Sequence, residues 1–300
     1  MADFAYSPMF PTTADTTKYE LVSSDHVRLV EMEGETFLRV DPEGLTLLAE
    51  RAFTDISHLL RSTHLGQLAD ILKDPEATKN DRFVALEMLK NAVISAEGLL
   101  PMCQDTGTAL VTGYRGDHVL VSGDDGEALS RGIYNTYQNC NLRFSQLAAH
   151  TMFDESNTAT NLPAQIEINA SKGLEYKFAF IQKGGGSANK AFLHQKTKAV
   201  LNPDSLRDFI RTAILELGTS ACPPYHLAIV IGGTSAELTM KTVKMASIKA
   251  LDNLPTEGNA LGHAWRDLDW EAQILQITRD LGIGAQFGGK YYCHDVRVIR

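Results

Sequence analysis

Two periods of hydrophobicity alternate along this chain, and the switches between them lay out its elements. Residues 1–20 are polar, carry Pro8, Pro11 and a threonine-rich run, show no period, and read as an arm. VRLVEM and TFLRV then alternate around Glu33-Gly34 and predict a short hairpin. Apolar residues at helical spacing predict helices over 45–60, 65–72 and 81–97, the last opening on Asp81 as its cap and closing at Gly98. At Leu99 a proline breaks the helical pattern, a loop follows, and TALVTG continues as a strand. Further strands are predicted over 164–169, 176–182 and 227–231, and further helices over 126–137, 203–217, 237–250 and 270–281. The expected fold is mixed α/β, a helical amino-terminal section leading into a mixed sheet with flanking helices. No repeat, linker or shift of composition interrupts it, so residues 21–300 read as one domain behind the arm.

Composition narrows the function classes. A chain of 300 residues that is 44% apolar and 22% charged is folded rather than disordered or fibrous. Its net charge of −9 offers no basic field to hold a polyanion, which argues against nucleic acid as a partner. The longest strongly apolar stretch, LAIVIGG, is far short of a bilayer crossing, so no membrane role is expected. The four cysteines, Cys103, Cys140, Cys222 and Cys293, form no CxxC pair, which excludes a zinc finger and a dense disulfide scaffold. A reducing compartment, read as the cytoplasm, fits them.

Three glycine clusters invite a nucleotide reading and fail it. KGGGSANK has Asn189 where a phosphate loop needs glycine and Ala191 where it needs a hydroxyl for magnesium. GIGAQFGG follows a helix rather than a strand and is spaced one residue too long for a dinucleotide fingerprint. These clusters, with IGGTS, read either as tight turns or as backbone concavities suited to a carboxylate. Cys103 and Cys222 stand in loops beside proline, a rigid setting useful for aiming a thiolate at a metal. Cys140, at a helix end, and Cys293, in KYYCHDV, read as small core residues. Asp105 alone reads as a turn residue or a proton carrier, and Arg143 as a surface ion pair or a carboxylate binder.

The stretches LPMCQDTGTAL, YNTYQNCNLRFSQ, NTATNLPAQI, KGGGSANK, TSACPPYH, VIGGTSAE and LGIGAQFGGKYY together resemble the iron–sulfur-dependent class I fumarases, in the family's order, from about residue 20 to Arg300. The resemblance implies the amino-terminal part of a hydro-lyase that interconverts fumarate and L-malate. It implies a [4Fe–4S] cluster with Cys103 and Cys222 at the first two of three ligand positions, the third lying beyond Arg300. By the same resemblance Gln104 and Asp105 contact the substrate, Asp105 carries the proton, and Arg143 binds a substrate carboxylate. Gly186, with Asn189 and Lys190 behind it, lines the substrate site. Thr106 and Thr108 read either as orienting the cluster loop or as turn residues. The family also implies a homodimer, and a carboxy-terminal domain or partner chain that completes the site, so that this part alone is inactive. Ala159 departs from the pattern, standing where the family has glycine; if the position needs a positive φ, alanine is strained there. Two competing readings are a subunit of the related tartrate dehydratases and a non-catalytic binding or scaffold module with the same fold.

Overall fold

The computed structural model describes residues 3–11 and 17–300, so the parts of the expected arm at 1–2 and 12–16 lie outside the described residues. The described remainder of the arm carries no helix or strand. The chain then forms β1 (Val27–Met32), β2 (Glu35–Val40), α1 (Pro42–His58), α2 (Ser62–Lys73) and α3 (Lys79–Ser95). After a loop come β3 (Thr108–Gly116), β4 (Val119–Val121), α4 (Asp125–Asn139), β5 (Leu147–Ala149), β6 (Glu155–Asn157), β7 (Gln165–Ser171), β8 (Tyr176–Lys183) and the single turn α5 (Gly185–Ala188). The remainder is α6 (Pro203–Leu217), β9 (Tyr225–Val230), α7 (Ala236–Ser247), α8 (Leu268–Asp280) and β10 (Cys293–Ile299). The mixed α/β class expected from the sequence is thus observed, and no described helix is long and apolar enough to cross a membrane.

Where the sequence reads a single stretch over 21–300, the chain gathers into two compact units, each assembled from non-contiguous segments. One, the Asp105 unit, is built from Lys18–Leu65 and Met88–Ala188. The other, the Cys222 unit, takes the described part of Met1–Thr17 together with Gly66–Glu87 and Asn189–Arg300.

In the Asp105 unit, β1 pairs antiparallel with β2, which runs parallel to β4. A second sheet has the order β7-β3-β8, with β3 parallel to β7 and antiparallel to β8. Helices α1 and α4 cover a core whose centre is Phe53, Leu129, Ile133 and Val111. Burying each such side chain stabilises the fold by about 1.5–3 kcal/mol. The two helices are also stitched by hydroxyls: Thr46 donates to Ala128 O and Thr136 to Glu50 O.

In the Cys222 unit, β9 and β10 run parallel, and Ile214 of α6, Ile274 of α8, Val298 of β10 and Tyr292 just before it are buried in one cluster. Helix starts in both units follow capping chemistry. Asp124, Asn202, Ser235 and Asp267 each accept an N–H from three residues on, each such cap contributing about 1 kcal/mol. One expected cap is corrected. Asp81 lies inside α3, and the cap is Thr78, whose hydroxyl accepts the Asp81 N–H while the Asp81 carboxylate accepts the Thr78 N–H.

Candidate active site

The loop that leads into β3 carries most of the residues singled out by sequence. Cys103 and Gln104 are exposed on it, and Asp105 is half-buried. The Asp105 N–H donates to Cys103 Sγ at 3.4 Å. Asp105 Oδ1 pairs with Arg143 Nη2 at 3.0 Å. Both groups remain wet, with side-chain exposures of 32% and 58%, so the pair adds little to stability and stays available to a ligand.

Close backbone approach places the glycine loop beside this carboxylate. A Cβ on Gly184 would meet Asp105 Oδ2 at 2.8 Å, and one on Gly107, where φ is +60°, would meet Lys183 O at 2.1 Å. At Gly107 the backbone carbonyl and the left-handed φ leave room for glycine alone, whereas at Gly184 the atom met is the end of the Asp105 side chain. Gly186 follows within α5. Cys103, Gln104, Asp105, Arg143 and Gly186 therefore share one unit, whereas Asn189, Lys190 and Cys222 belong to the other.

Beneath the loop runs a chain of buried and half-buried polar groups. Gln182 Nε2 donates to the Tyr137 hydroxyl at 3.0 Å, and that hydroxyl donates to Thr106 O at 2.8 Å. Thr106 Oγ1 donates to Arg143 O at 2.6 Å, so this threonine does tie the loop to the arginine segment. Burial, helped by the nearby Asp105 charge, pushes the Tyr137 phenol up to about 12 against the hydrogen bond from Gln182, so it stays a neutral donor. Tyr137 and Asn161 lie inside stretches quoted for the resemblance, yet neither has a role legible from local pattern, because their partners are remote in the chain.

Cys222 sits in a loop with a different support. Its own φ is +61°, a conformation that non-glycine residues rarely adopt, and Pro223 and Pro224 follow it buried. Tyr225 OH accepts the Ala221 N–H and donates to Gly218 O, and Tyr292 OH donates to the same carbonyl at 2.8 Å. The two rings meet edge-on at 5.1 Å. Burial and, secondarily, the neighbouring Cys222 raise the Tyr225 phenol further above its ordinary value.

The remaining cysteines behave as expected. Cys293 is buried in β10, where desolvation pushes its thiol up to about 12, and Cys140 caps the end of α4. His226 is a paired residue rather than part of a metal-binding group: its Nδ1 lies 2.7 Å from Asp295 Oδ1, and Lys249 Nζ lies 2.9 Å from Asp295 Oδ2. Among the described residues no group of three or more His, Cys, Asp or Glu side chains could hold a metal ion.

Ala159 has φ +56°, so the departure from glycine in NTATNLP does fall on a left-handed position.

A family model for fumarate hydratase (Fumerase) matches residues 46–300. The anaerobic class I fumarate hydratase of Escherichia coli (strain K12) is 55% identical over 99% of this chain and 54% of its own length. Fumarate hydratase 1, mitochondrial, of Leishmania major is 56% identical over 100% of this chain and 55% of its own length. A putative L(+)-tartrate dehydratase subunit alpha of Methanocaldococcus jannaschii is 28% identical over 70% of this chain and 72% of its own length. The chain belongs to the fumarate hydratase (Fumerase) family. It spans about half the length of the fumarate hydratases it matches.

Proposed function

We propose that residues 21–300 are the amino-terminal catalytic portion of an iron–sulfur-dependent class I fumarate hydratase, catalysing the reversible hydration of fumarate to L-malate. The observation that carries this reading is the Cys103–Asp105–Arg143 arrangement in a member of this family: an exposed thiol with an N–H donor, next to a carboxylate already paired with a wet guanidinium. The donor chemistry fits a [4Fe–4S] cluster, since Cys103 and Cys222 are exposed, free thiols on loops and would hold it as thiolates, with the third thiolate supplied from beyond this chain. When bound, such a cluster supplies a Lewis acid toward the substrate's carboxylate and hydroxyl oxygens.

The chain's own groups have separable tasks. Arg143 presents a planar fork to one substrate carboxylate, a geometry that a lysine cannot reproduce. That carboxylate competes with Asp105 for the guanidinium, which frees Asp105 to carry the proton to or from the carbon next to the hydroxylated one. Gln104, exposed beside Cys103, is placed to hydrogen-bond the dicarboxylate, and Gly186, Asn189 and Lys190 supply N–H and cationic groups to line its site. A homodimer, completed by a carboxy-terminal domain or partner chain, is the assembly we infer from the resemblance; the relatives' doubled length supports that completion.

Coverage of 72% of the tartrate dehydratase relative keeps a second reading, a subunit of that related enzyme. Assaying the gene product at its full encoded length with fumarate and with L-tartrate separates them. Hydration of fumarate, reduced on the order of 100-fold or more in kcat/KM by Arg143→Lys, is the expected result; turnover of tartrate but not fumarate favours the second reading, and turnover of neither favours a scaffold.

A further inference from the structure

We propose that Asn161 is a positioning residue whose side chain holds the Asp105 loop and the Arg143 segment in register; the inference rests on reading those two residues as the substrate-facing pair.

Asn161 is fully buried, an unusual place for an amide side chain, and its hydrogen bonds to backbone go to these two segments. Its Nδ2 donates to Gly107 O at 3.1 Å, two residues past Asp105. Its Oδ1 accepts the N–H groups of Ser145 at 2.7 Å and Gln146 at 3.0 Å, the residues just past Arg143. A single planar group thus bridges both backbones, using its donor on one side and its acceptor on the other.

The backbone is bent to bring it there. Asn161 has φ +56°, a left-handed conformation that asparagine tolerates better than most residues. The surrounding loop grips the same arginine segment at its flanks, with Asn157 Nδ2 donating to Phe144 O at 2.8 Å and the Thr158 N–H to Gln146 O at 3.0 Å. On the other face, Tyr137 and Thr106 lock the carbonyls and hydroxyl of the Asp105 loop. Asp105 and Arg143 are themselves wet and joined by one contact, so their relative placement depends on these buried links rather than on their own attraction. Catalytic groups lose rate steeply when displaced by an ångström.

Two substitutions in the full-length holoenzyme test this. Asn161→Gly accepts the backbone conformation and deletes the bridge; Asn161→Asp accepts the conformation, keeps an acceptor for Ser145 and Gln146, and loses the donor to Gly107. Amide hydrogen exchange is the primary readout. Asn161→Gly should raise exchange roughly tenfold in 105–108 and 143–146 together, whereas Asn161→Asp should raise it in 105–108 and spare 143–146. The kcat/KM for fumarate should fall on the order of 100-fold in Asn161→Gly, with a smaller loss in Asn161→Asp, while both keep wild-type circular dichroism. If Asn161→Gly does not fold, the one-sided pattern in Asn161→Asp decides. Exchange unchanged in both segments, or raised evenly through the unit, overturns the proposal. A wild-type enzyme inert on fumarate would refute the functional reading alone, because the exchange pattern decides the bridge without substrate.

Discussion

Both candidate loops rest on neutral hydrogen bonds, from Tyr137 at the Asp105 loop and from Tyr225 and Tyr292 at the Cys222 loop, but the Cys222 unit also carries charge within its scaffold. Around the Asp105 loop the links are neutral: a phenol, two amides and a threonine hydroxyl, while Asp105 and Arg143 themselves are partly exposed to solvent. In the Cys222 unit, charge lies deep in the scaffold. Asp295 of β10 takes hydrogen bonds from His226, Gln67 and Lys249, which outweigh the burial that opposes its ionisation and hold its carboxyl well below the ordinary range. Arg297 grips Asp252 with two nitrogens at 2.6 and 2.7 Å. The segment after the glycines of GIGAQFGG is held in the same manner, Lys290 reaching Asp74 and Glu76 while Tyr291 donates to Asp74. A carboxylate–guanidinium pair at the surface can exchange partners when the links around it carry no charge, while a scaffold can use charge when its partners are fixed.

The comparison is broken most severely from within the neutral network. Gly107→Ala forces a methyl against Lys183 O at a left-handed position and should destabilise by roughly 3 kcal/mol or more, read by chemical denaturation. Tyr137→Phe should cost about 1–3 kcal/mol, because it strands the Gln182 amide and the Thr106 carbonyl. That cost should be the same in mild acid and at neutral pH, since the phenol ionises only near 12.

The charged scaffold should respond to acid. Tyr291, then the Glu76 N–H and Lys290, hold the Asp74 carboxyl at about 2. Its unfolded value is about 3.9, so the stabilisation is complete above that pH and is lost as pH falls toward the folded value. The melting temperature of wild type should therefore approach that of Asp74→Asn through this window and exceed it above; an offset that does not change with pH would contradict the assignment. The smallest effect expected is a gain: Ala159→Gly relieves a residue at φ +56° and should stabilise by about 0.5–1 kcal/mol.

Much of the architecture was readable from periodicity. The hairpin at Glu33-Gly34, α1, α4, α6 and the strands β3, β7, β8 and β9 fall where the patterns put them. β10 was missed because CHDVRVI carries His294, Asp295 and Arg297, which break an apolar alternation; Asp295 and Arg297 are tolerated inside because Lys249, His226 and Asp252 come to meet them. β5 and β6, at three residues each, are too short to show a period. In α3 the spacing gave the helix but not its face: Asp81, Ala85, Ala92 and Ser95 are buried while Phe83 and Val93 are 63% and 70% exposed. The two units stayed invisible because each gathers separated segments of similar composition. At the candidate site, local motifs named the side chains, but the bridge through Asn161 depends on partners up to 54 positions away, which no local pattern reveals.

The proposed role of Cys103 as a cluster thiolate is open to direct measurement. Iron and acid-labile sulfide should be counted on anaerobically reconstituted protein expressed at the length its gene encodes, beside its Cys103→Ser variant. Wild type should carry roughly four irons per chain, with both iron and fumarate hydration lost in the variant. A colourless wild-type protein that takes up no iron, or a variant that keeps its iron and activity, would contradict it.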